Sequence, residues 1–442
     1  MEDALTSLSS SLDSAFEAAI LRIQRLPESR SRLGFSTLMW ICHAKKAMQV
    51  EELSDALSIK PGQKTVSPKH RPSRGIILEC CQGLVAIDQK TSRVHFAHYS
   101  IQEYLVLHSN ELFPDAEVNI ATICLTYLLF EDLKKGPCIH SSDLPLRIES
   151  YPFSSYASEF WGSHLQNFDS NERMKHIALA FLDCQNAIAS ANQISKFNKR
   201  YKKRYWKAKE CMSTTALHIC SHFGLDNTLL DLLDQGNLPI NTTTKMGTTP
   251  IIGAASRGHV STVRMLLQKG ADPYLKNRYG NALHCAAESG SSRTIRELIS
   301  HGMNPNACEQ HCRIPLSCTL DNDRASAFET LIELGADISA IDVCSEIELS
   351  ILHQVAFKNC LNIMDIVLKH RWGDLESKCE QGRTALHYAA KYRNLLMVRK
   401  LVEAGADIEA KDNRGYTPLD FMGDKYDLDK VQCCAENVLG SE

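Results

Sequence analysis

Nowhere in its 442 residues does the chain sustain an apolar run near the roughly 20 residues that span a bilayer. Its first residues, Met1-Glu-Asp-Ala-Leu, carry acids where a secretory leader carries bases. The expectation is a cytoplasmic protein with no membrane span, with the nucleus open. Charge of either sign is not in surplus either: 49 Lys and Arg stand against 52 Asp and Glu, a formal charge of −3, so there is no global pull toward nucleic acid or membrane. The Gly-x₄-Gly-Lys-Ser/Thr loop that wraps phosphates is missing; Pro61-Gly-Gln-Lys-Thr65 comes nearest, with Gln between Gly and Lys. No Gly-x-Ser-x-Gly elbow surrounds Ser100, which reads as a helix N-cap with Glu103 closing a capping box. No enzyme, cofactor or metal is expected. Cys308, His311 and Cys312, with His301 and Cys318 nearby, lack paired zinc spacing and read as turn residues. The 17 cysteines are scattered through apolar helical positions, as Cys124, Cys220 and Cys285 are, and read as reduced, buried thiols.

What the chain has instead is repetition. Thr215-Ala-Leu-His-Ile-Cys220 returns in altered form at Thr249, Asn281, Ile314, Ser350, Thr384 and Thr417, at intervals of 34, 32, 33, 36, 34 and 33 residues. A period near 33 marks stacked two-helix units that cannot bury their apolar faces alone. The third place is Leu217, Ile251, Leu283, Leu316, Leu352, Leu386 and Leu419, one aliphatic column pointing into the stack. The sixth is mostly small, as in Cys220, Ala254, Ala286 and Ala389, which lets neighbouring helices approach. A second apolar stripe follows about ten residues on, for example Val398, Leu401 and Val402, and Gly270, Gly335 and Gly405 stop the second helix.

From about Ser213 to the C-terminus the chain resembles the ankyrin repeat, with Gly382-Arg-Thr-Ala-Leu-His387 and Gly415-Tyr-Thr-Pro-Leu419 lying nearest the family phrase. Thr caps the first helix, Pro suits its first turn, and His bonds across the turn. Ile252, Ser317 and Asp420 replace the His, Ile314 replaces the Thr, and the fourth interval is three residues too long, so these repeats, Ile314 to Trp372 above all, are expected to be the loosest part of the array.

Before the repeats, Leu12 to Leu26 reads as a helix closed by Pro27, Ser31 to Ala44 as a second helix, Met48 to Val50 as a short strand and Glu51 to Ile59 as a third helix. A helix at Gly75 to Cys81 and strands at Leu84 to Asp88 and Val94 to His98 complete a winged-helix order. Leu38-Met-Trp-Ile-Cys42, Val50-Glu-Glu-Leu-Ser-Asp-Ala-Leu57 and Val94-His-Phe-Ala-His-Tyr-Ser-Ile-Gln-Glu-Tyr-Leu105 resemble the winged helix that follows the NTPase (NACHT) domain of fungal NLR-like proteins and inositol-deacylase-like proteins. Tyr151-Pro-Phe-Ser-Ser-Tyr-Ala157 resembles their helical segment. With no phosphate loop, the resemblance implies an adaptor, or the docking half of a longer switch.

The expected architecture is predominantly all-α: a winged-helix domain over 1–110, a helical linker over 111–193, a basic and aromatic capping helix over 194–212, and seven ankyrin repeats over 213–442. The expected function is binding another protein, and the fungal resemblance implies a sensor of recognition. Family analogy places the contacts at the hairpin tips and on the solvent side of the first helices, and the tips here are Lys245 and Met246; Asn277, Arg278 and Tyr279; Gln310, His311 and Arg313; Asp412, Asn413 and Arg414. Tyr279 and the arginines are the anchors, because aromatic and guanidinium groups dominate interface energy. The alternative is nucleic-acid or anion binding through the stretch 196–209, where Lys199, Arg200, Lys202, Lys203 and Arg204 interleave with Tyr201 and Tyr205, together with the winged helix. Nucleic acid is disfavoured, because Phe197, Tyr201 and Tyr205 fall on one apolar helix face and Ser73 to Cys81 offers a single Arg and reads as buried.

Overall fold

A computed structural model gives the fold and describes residues 14–65, 68–140, 142–197, 207–309, 313–343 and 349–422. The chain forms two compact units, Met1–Leu238 and Pro239–Glu442. The first begins with the winged helix: helices Glu28–His43, Val50–Ser58 and Arg74–Cys80, then strands β1 (Val85–Ile87) and β2 (Val94–Phe96), paired antiparallel with Ala86 opposite His95. Gln49 bridges Arg93 where a short strand was expected, and helix takes over at Val50. The Glu28–His43 helix starts three residues early because Pro27 supplies the fixed φ that suits a helix start. Two expectations are corrected. His98, not Ser100, caps the next helix, its Nδ1 accepting from the Ser100 N–H at 3.2 Å. The Arg74–Cys80 helix is only half buried: Ile77 and Cys80 face the core, while Arg74, Ile76 and Glu79 are exposed and Glu79 pairs with Arg30.

Packing draws the winged helix and the helical segment into one core. Trp40 stands edge-on to Phe153 and Tyr156, with ring centroids at 5.4 and 5.7 Å, and Tyr127 stands edge-on to Phe153 at 5.2 Å. A directional polar chain runs beside it: the Lys45 N–H donates to the Tyr156 hydroxyl (3.0 Å), that hydroxyl donates to His164 Nε2 (2.8 Å), and His164 Nδ1–H donates to Glu117 (2.5 Å). Each group has one role, and only neutral His164 fills its place.

The first repeat hairpin, Ala216–Phe223 and Asp226–Asp234, belongs to this unit, packed on helices Ser154–Leu165 and Glu172–Leu182. Asp169, buried between those helices, caps the hairpin's second helix by accepting from the N–H groups of Asn227 (2.6 Å) and Thr228. Lys175 pairs with Asp231 at 2.5 Å, and Gln185 donates to the carbonyls of Met212 and Thr214. These helices cover the first hairpin's face. The capping helix expected over 194–212 lies largely outside the described residues; on either side of that stretch one helix ends at Ser195 and a short one spans Ala208–Cys211.

In the second unit each hairpin is a first helix such as Pro250–Arg257, a left-handed residue, and a second helix such as Val260–Gln268. First helices pack on first helices and second on second, burying Ile251, Leu283, Leu316, Leu352 and Leu386 almost completely. Each such side chain contributes about 1.5–3 kcal/mol. Gly405 ends its helix at φ 97°, a conformation that costs other residues dearly. The three extra residues of the long interval fall where a short helix, Ala340–Val343, sits between Asp337 and Leu349. Of the 13 described cysteines ten are buried thiols, and burial pushes Cys81 up to about 12, far from reactivity.

Histidines stitch the repeats. His353 Nε2–H donates to the Arg383 carbonyl (2.8 Å) and His387 Nε2–H to the Tyr416 carbonyl (3.1 Å), one repeat on, while Nδ1 accepts from Ser350 or Thr384. At His284 the cap is Asn281, whose Oδ1 lies 2.8 Å from Nδ1, so both ring nitrogens face acceptors. Asn281→Thr supplies a hydroxyl donor there and is expected to raise stability by about 1 kcal/mol, read as a higher urea midpoint. Desolvation by burial lowers the pKa of His164, His353 and His387 below the usual 6.5, so the unfolded chain binds more protons and stability falls as pH drops through 6.5. Burial pushes the Glu117 carboxyl up, but hydrogen bonds from His164, His43 and Lys45 outweigh it and hold that carboxyl far below its usual 4.5; its contribution is lost below that pH. The thermal midpoint should therefore be flat from pH 8 to 7 and decline in two stages, beginning near 6.5 and again near 4.5. A midpoint rising on acidification from pH 7 to 5.5 contradicts this.

Candidate partner interface

The tips between repeats are built by turns whose polar side chains bond their own backbone. In the third repeat Asn277 exchanges backbone bonds with Gly280 (3.1 and 3.2 Å) and its Oδ1 accepts from the Tyr279 N–H at 2.7 Å. Gly280 sits at φ 115°, and a Cβ there would come within 2.6 Å of the His284 ring, so this turn admits glycine only. The geometry pushes Arg278 and Tyr279 outward. Both are exposed, the guanidinium lies 4.5 Å from the Tyr279 ring centroid, and it donates to the Tyr279 hydroxyl. Stacking pre-organises two side chains that would otherwise lose rotamer freedom on binding.

These residues open onto a cleft of about 320 Å³ between successive tips, lined by Met246, Lys276, Asn277, Arg278, Tyr279, Gly280, Glu309 and Arg313. Five of the lining residues were expected as contacts from the sequence: Met246, Asn277, Arg278, Tyr279 and Arg313. Lys276 and Glu309 were missed. They sit one 33-residue period apart and pair at 3.0 Å, and opposite charges recurring at the repeat period are the signal that finds them. The same spacing joins Arg264 to Glu297 at 2.6 Å.

Arg313 borders the cleft but is largely committed inward: its guanidinium meets Glu288 (3.3 Å), Asp321 (2.6 Å) and Cys318 Sγ (3.0 Å), and its carbonyl receives His284. Lys245 lies exposed beside half-buried Met246. The last tip is apart from the cleft and differs in kind. Asp412 is buried, accepts from the Arg414 and Tyr416 N–H groups (2.8 and 3.0 Å) and pairs with Arg383, so it holds the turn and faces no partner, against expectation. Asn413 is exposed but donates to the Glu380 carbonyl at 2.8 Å; Arg414 is exposed, with no side-chain ion pair among the described residues. Gln310 and His311 lie outside the described residues, as do Lys199, Arg200, Lys202, Lys203 and Arg204 of the anion-binding alternative.

The cleft therefore presents an aromatic face with a stacked cation, a thioether and one neutralised ion pair. That combination suits recognition of a side chain on another protein. Among the described residues the cleft contains no nucleophile with an adjacent base, and no cluster of His, Cys, Asp and Glu is arranged to hold a metal. No helix of the described residues is long and apolar enough to cross a membrane.

Comparison with known proteins agrees with this architecture. Residues 29–121 match the family described as GPI inositol-deacylase, winged helix domain. Residues 185–277, 281–310 and 367–421 match ankyrin-repeat families, the first match beginning in the Gln185–Ser195 helix, before the repeating phrase. The chain is similar to the mouse B-cell lymphoma 3 protein homolog, 29% identical over 196 residues and covering 43% of each chain. It is also similar to mouse cyclin-dependent kinase 4 inhibitor B, 37% identical over 94 residues, covering 21% of this chain and 68% of the inhibitor. Among solved structures, the human ASB11 ankyrin repeat domain is 20% identical, with a TM-score of 0.44, covering 50% of this chain and 98% of that domain. The chain spans less than half the length of the lymphoma protein homolog.

Proposed function

For a chain that belongs to the ankyrin-repeat proteins and carries a winged helix of the GPI inositol-deacylase type before the array, we propose a docking function: the repeat tips seize one side chain or loop of another protein in the cleft around Tyr279. The observation that carries this reading is the outward-facing, pre-stacked Arg278–Tyr279 pair beside a cleft whose other charges are already paired. Arg278→Ala combined with Tyr279→Ala touches nothing buried, so it should leave the unfolding midpoint within about 0.5 kcal/mol of wild type. Partner recovery should drop at least tenfold, the size of a hot-spot loss. Affinity capture from native extract, quantified against wild type, reads this; undiminished recovery of every specific partner sinks it.

At a finer level, we propose that the chain is the sensor part of an NLR-like recognition protein of the fungal type it resembles. What supports this is the order of winged helix, helical segment and array. Sequencing the transcript upstream of Met1 tests it: an in-frame phosphate loop supports a switch whose docking half is this chain, and an in-frame stop with no such loop leaves an adaptor.

A further inference from the structure

In the tip cleft the acceptors are used up and donors are left over. Asn277 Oδ1 takes the Tyr279 N–H at 2.7 Å, and the carbonyls of Asn277 and Gly280 take each other's N–H groups. Glu309, whose side chain is 12% exposed, receives the Asn281 amide on Oε1 at 3.5 Å and the Lys276 ammonium on Oε2 at 3.0 Å. Lys276 therefore brings no net charge to the cleft, and Arg313, held by Glu288 and Asp321, brings none either. Arg278 is the exception. Its guanidinium rests on the Tyr279 ring and donates to that hydroxyl, and no carboxylate among the described residues pairs with it. A guanidinium keeps its charge at every working pH and presents its N–H donors in a rigid fork, most of which remain unused here. The Tyr279 hydroxyl, accepting from Arg278, still has its own proton to give.

An occupant that satisfies these groups brings oxygen acceptors and one negative charge. The planar fork meets a carboxylate through two parallel bonds, shorter and stronger than neutral ones. Because the guanidinium is already stacked on Tyr279, pairing costs it little further rotamer freedom. Half-buried Met246 and Gly280, which has no side chain, leave room beside the fork for the aliphatic stem of an incoming residue. Glu309 limits the charge that fits. Were Lys276 free, two cations would face the occupant and a phosphate, which carries up to two negative charges, would match them; with Lys276 paired, a single positive charge matches a single carboxylate.

We propose that the cleft takes the carboxylate of an aspartate or glutamate on a partner's loop, held by Arg278, and that Glu309 sets this choice by neutralising Lys276. The proposal rests on the tips docking a partner and adds the chemistry of what docks. The test is selection of a phage-displayed library of disulfide-closed heptapeptides on the full chain, after removal of peptides that bind Arg278→Ala/Tyr279→Ala. Surviving peptides should share an Asp or Glu at one position. By fluorescence anisotropy, replacing that acid with its amide should weaken binding at least tenfold, and so should Arg278→Glu, which a lysine in the acid's place should rescue. The amide change is made in the peptide, so it depends on no variant folding. Phosphoserine at that position should bind wild type no better than glutamate but should bind Glu309→Gln more tightly, a change that keeps Oε1 for Asn281. No Arg278-dependent peptide, enriched peptides without a common acid, or full affinity of the amide peptides overturns the proposal. So does phosphoserine outbinding glutamate on wild type, which would make a phosphorylated partner the occupant. Reduced partner capture by Arg278→Ala/Tyr279→Ala together with acid-free peptides removes the carboxylate and leaves docking standing; undiminished capture beside acid-dependent peptides keeps the carboxylate site and removes the docking reading.

Discussion

Asp55→Ala should cost the N-terminal unit about 3 kcal/mol, the lower end of what breaking a buried ion pair costs. Asp55 sits on the Val50–Ser58 helix with its carboxylate fully buried, ion-paired to Arg71 and accepting the Tyr127 hydroxyl at 2.6 Å. Burial holds the Tyr127 phenol far above its usual range, so that hydroxyl stays protonated and must donate. Removing the carboxylate strands two groups at once: a phenol in the aromatic core and a guanidinium whose side chain is 27% exposed. The partial exposure of Arg71 is why the low end applies. Tyr127→Phe strands nothing charged and should cost about 1 kcal/mol. Urea unfolding followed by tryptophan fluorescence distinguishes them, since Trp40 and Trp161 both lie in this unit. Equal costs for the two variants would mean the ion pair is solvated.

Gly162→Ala should be nearly as damaging for the opposite reason, because it adds an atom where none fits. A Cβ at Gly162 would lie 2.2 Å from the Phe223 ring of the first hairpin. That ring has no easy retreat: Phe223 is buried, and its centroid is 5.3 Å from that of Trp161, which itself stands 5.2 Å from Phe181. Overpacking of this kind costs about 1–3 kcal/mol, and the upper end is expected where the neighbour is a ring hemmed by other rings. Phe223→Leu introduced with Gly162→Ala should return a large part of the loss, whereas the two changes would simply add if the residues did not touch. A purely additive pair would contradict the packing of the first hairpin on the Ser154–Leu165 helix.

Neither effect is legible in the sequence, and the reason is distance. Gly162 reads as an ordinary helical glycine until a ring 61 residues later lands on it, and Asp169 reads as a loop acid until it caps a helix that starts at Asp226. What was legible is what recurs. The third column of the phrase is buried from Leu217 through Leu386, because each repeat restates the same packing demand. Leu419, in the last described turn, is only half-buried, having no following hairpin among the described residues to cover it. Around the candidate cleft, turn chemistry marked Asn277, Arg278 and Tyr279. The same logic overreached at Asp412, where an identical position in the pattern faces inward to hold Arg383. Sequence marks where a turn falls but does not tell which of its polar side chains the turn consumes.

The most direct test of the docking account replaces residue 279, and separately Arg293 on the exposed face of the Ser292–Ser300 helix, with a photo-cross-linking amino acid. Irradiation in native extract should trap one discrete partner from position 279 and none from position 293. Trapping of the same species with equal yield from both positions, or from 293 alone, would contradict a partner seated in the tip cleft.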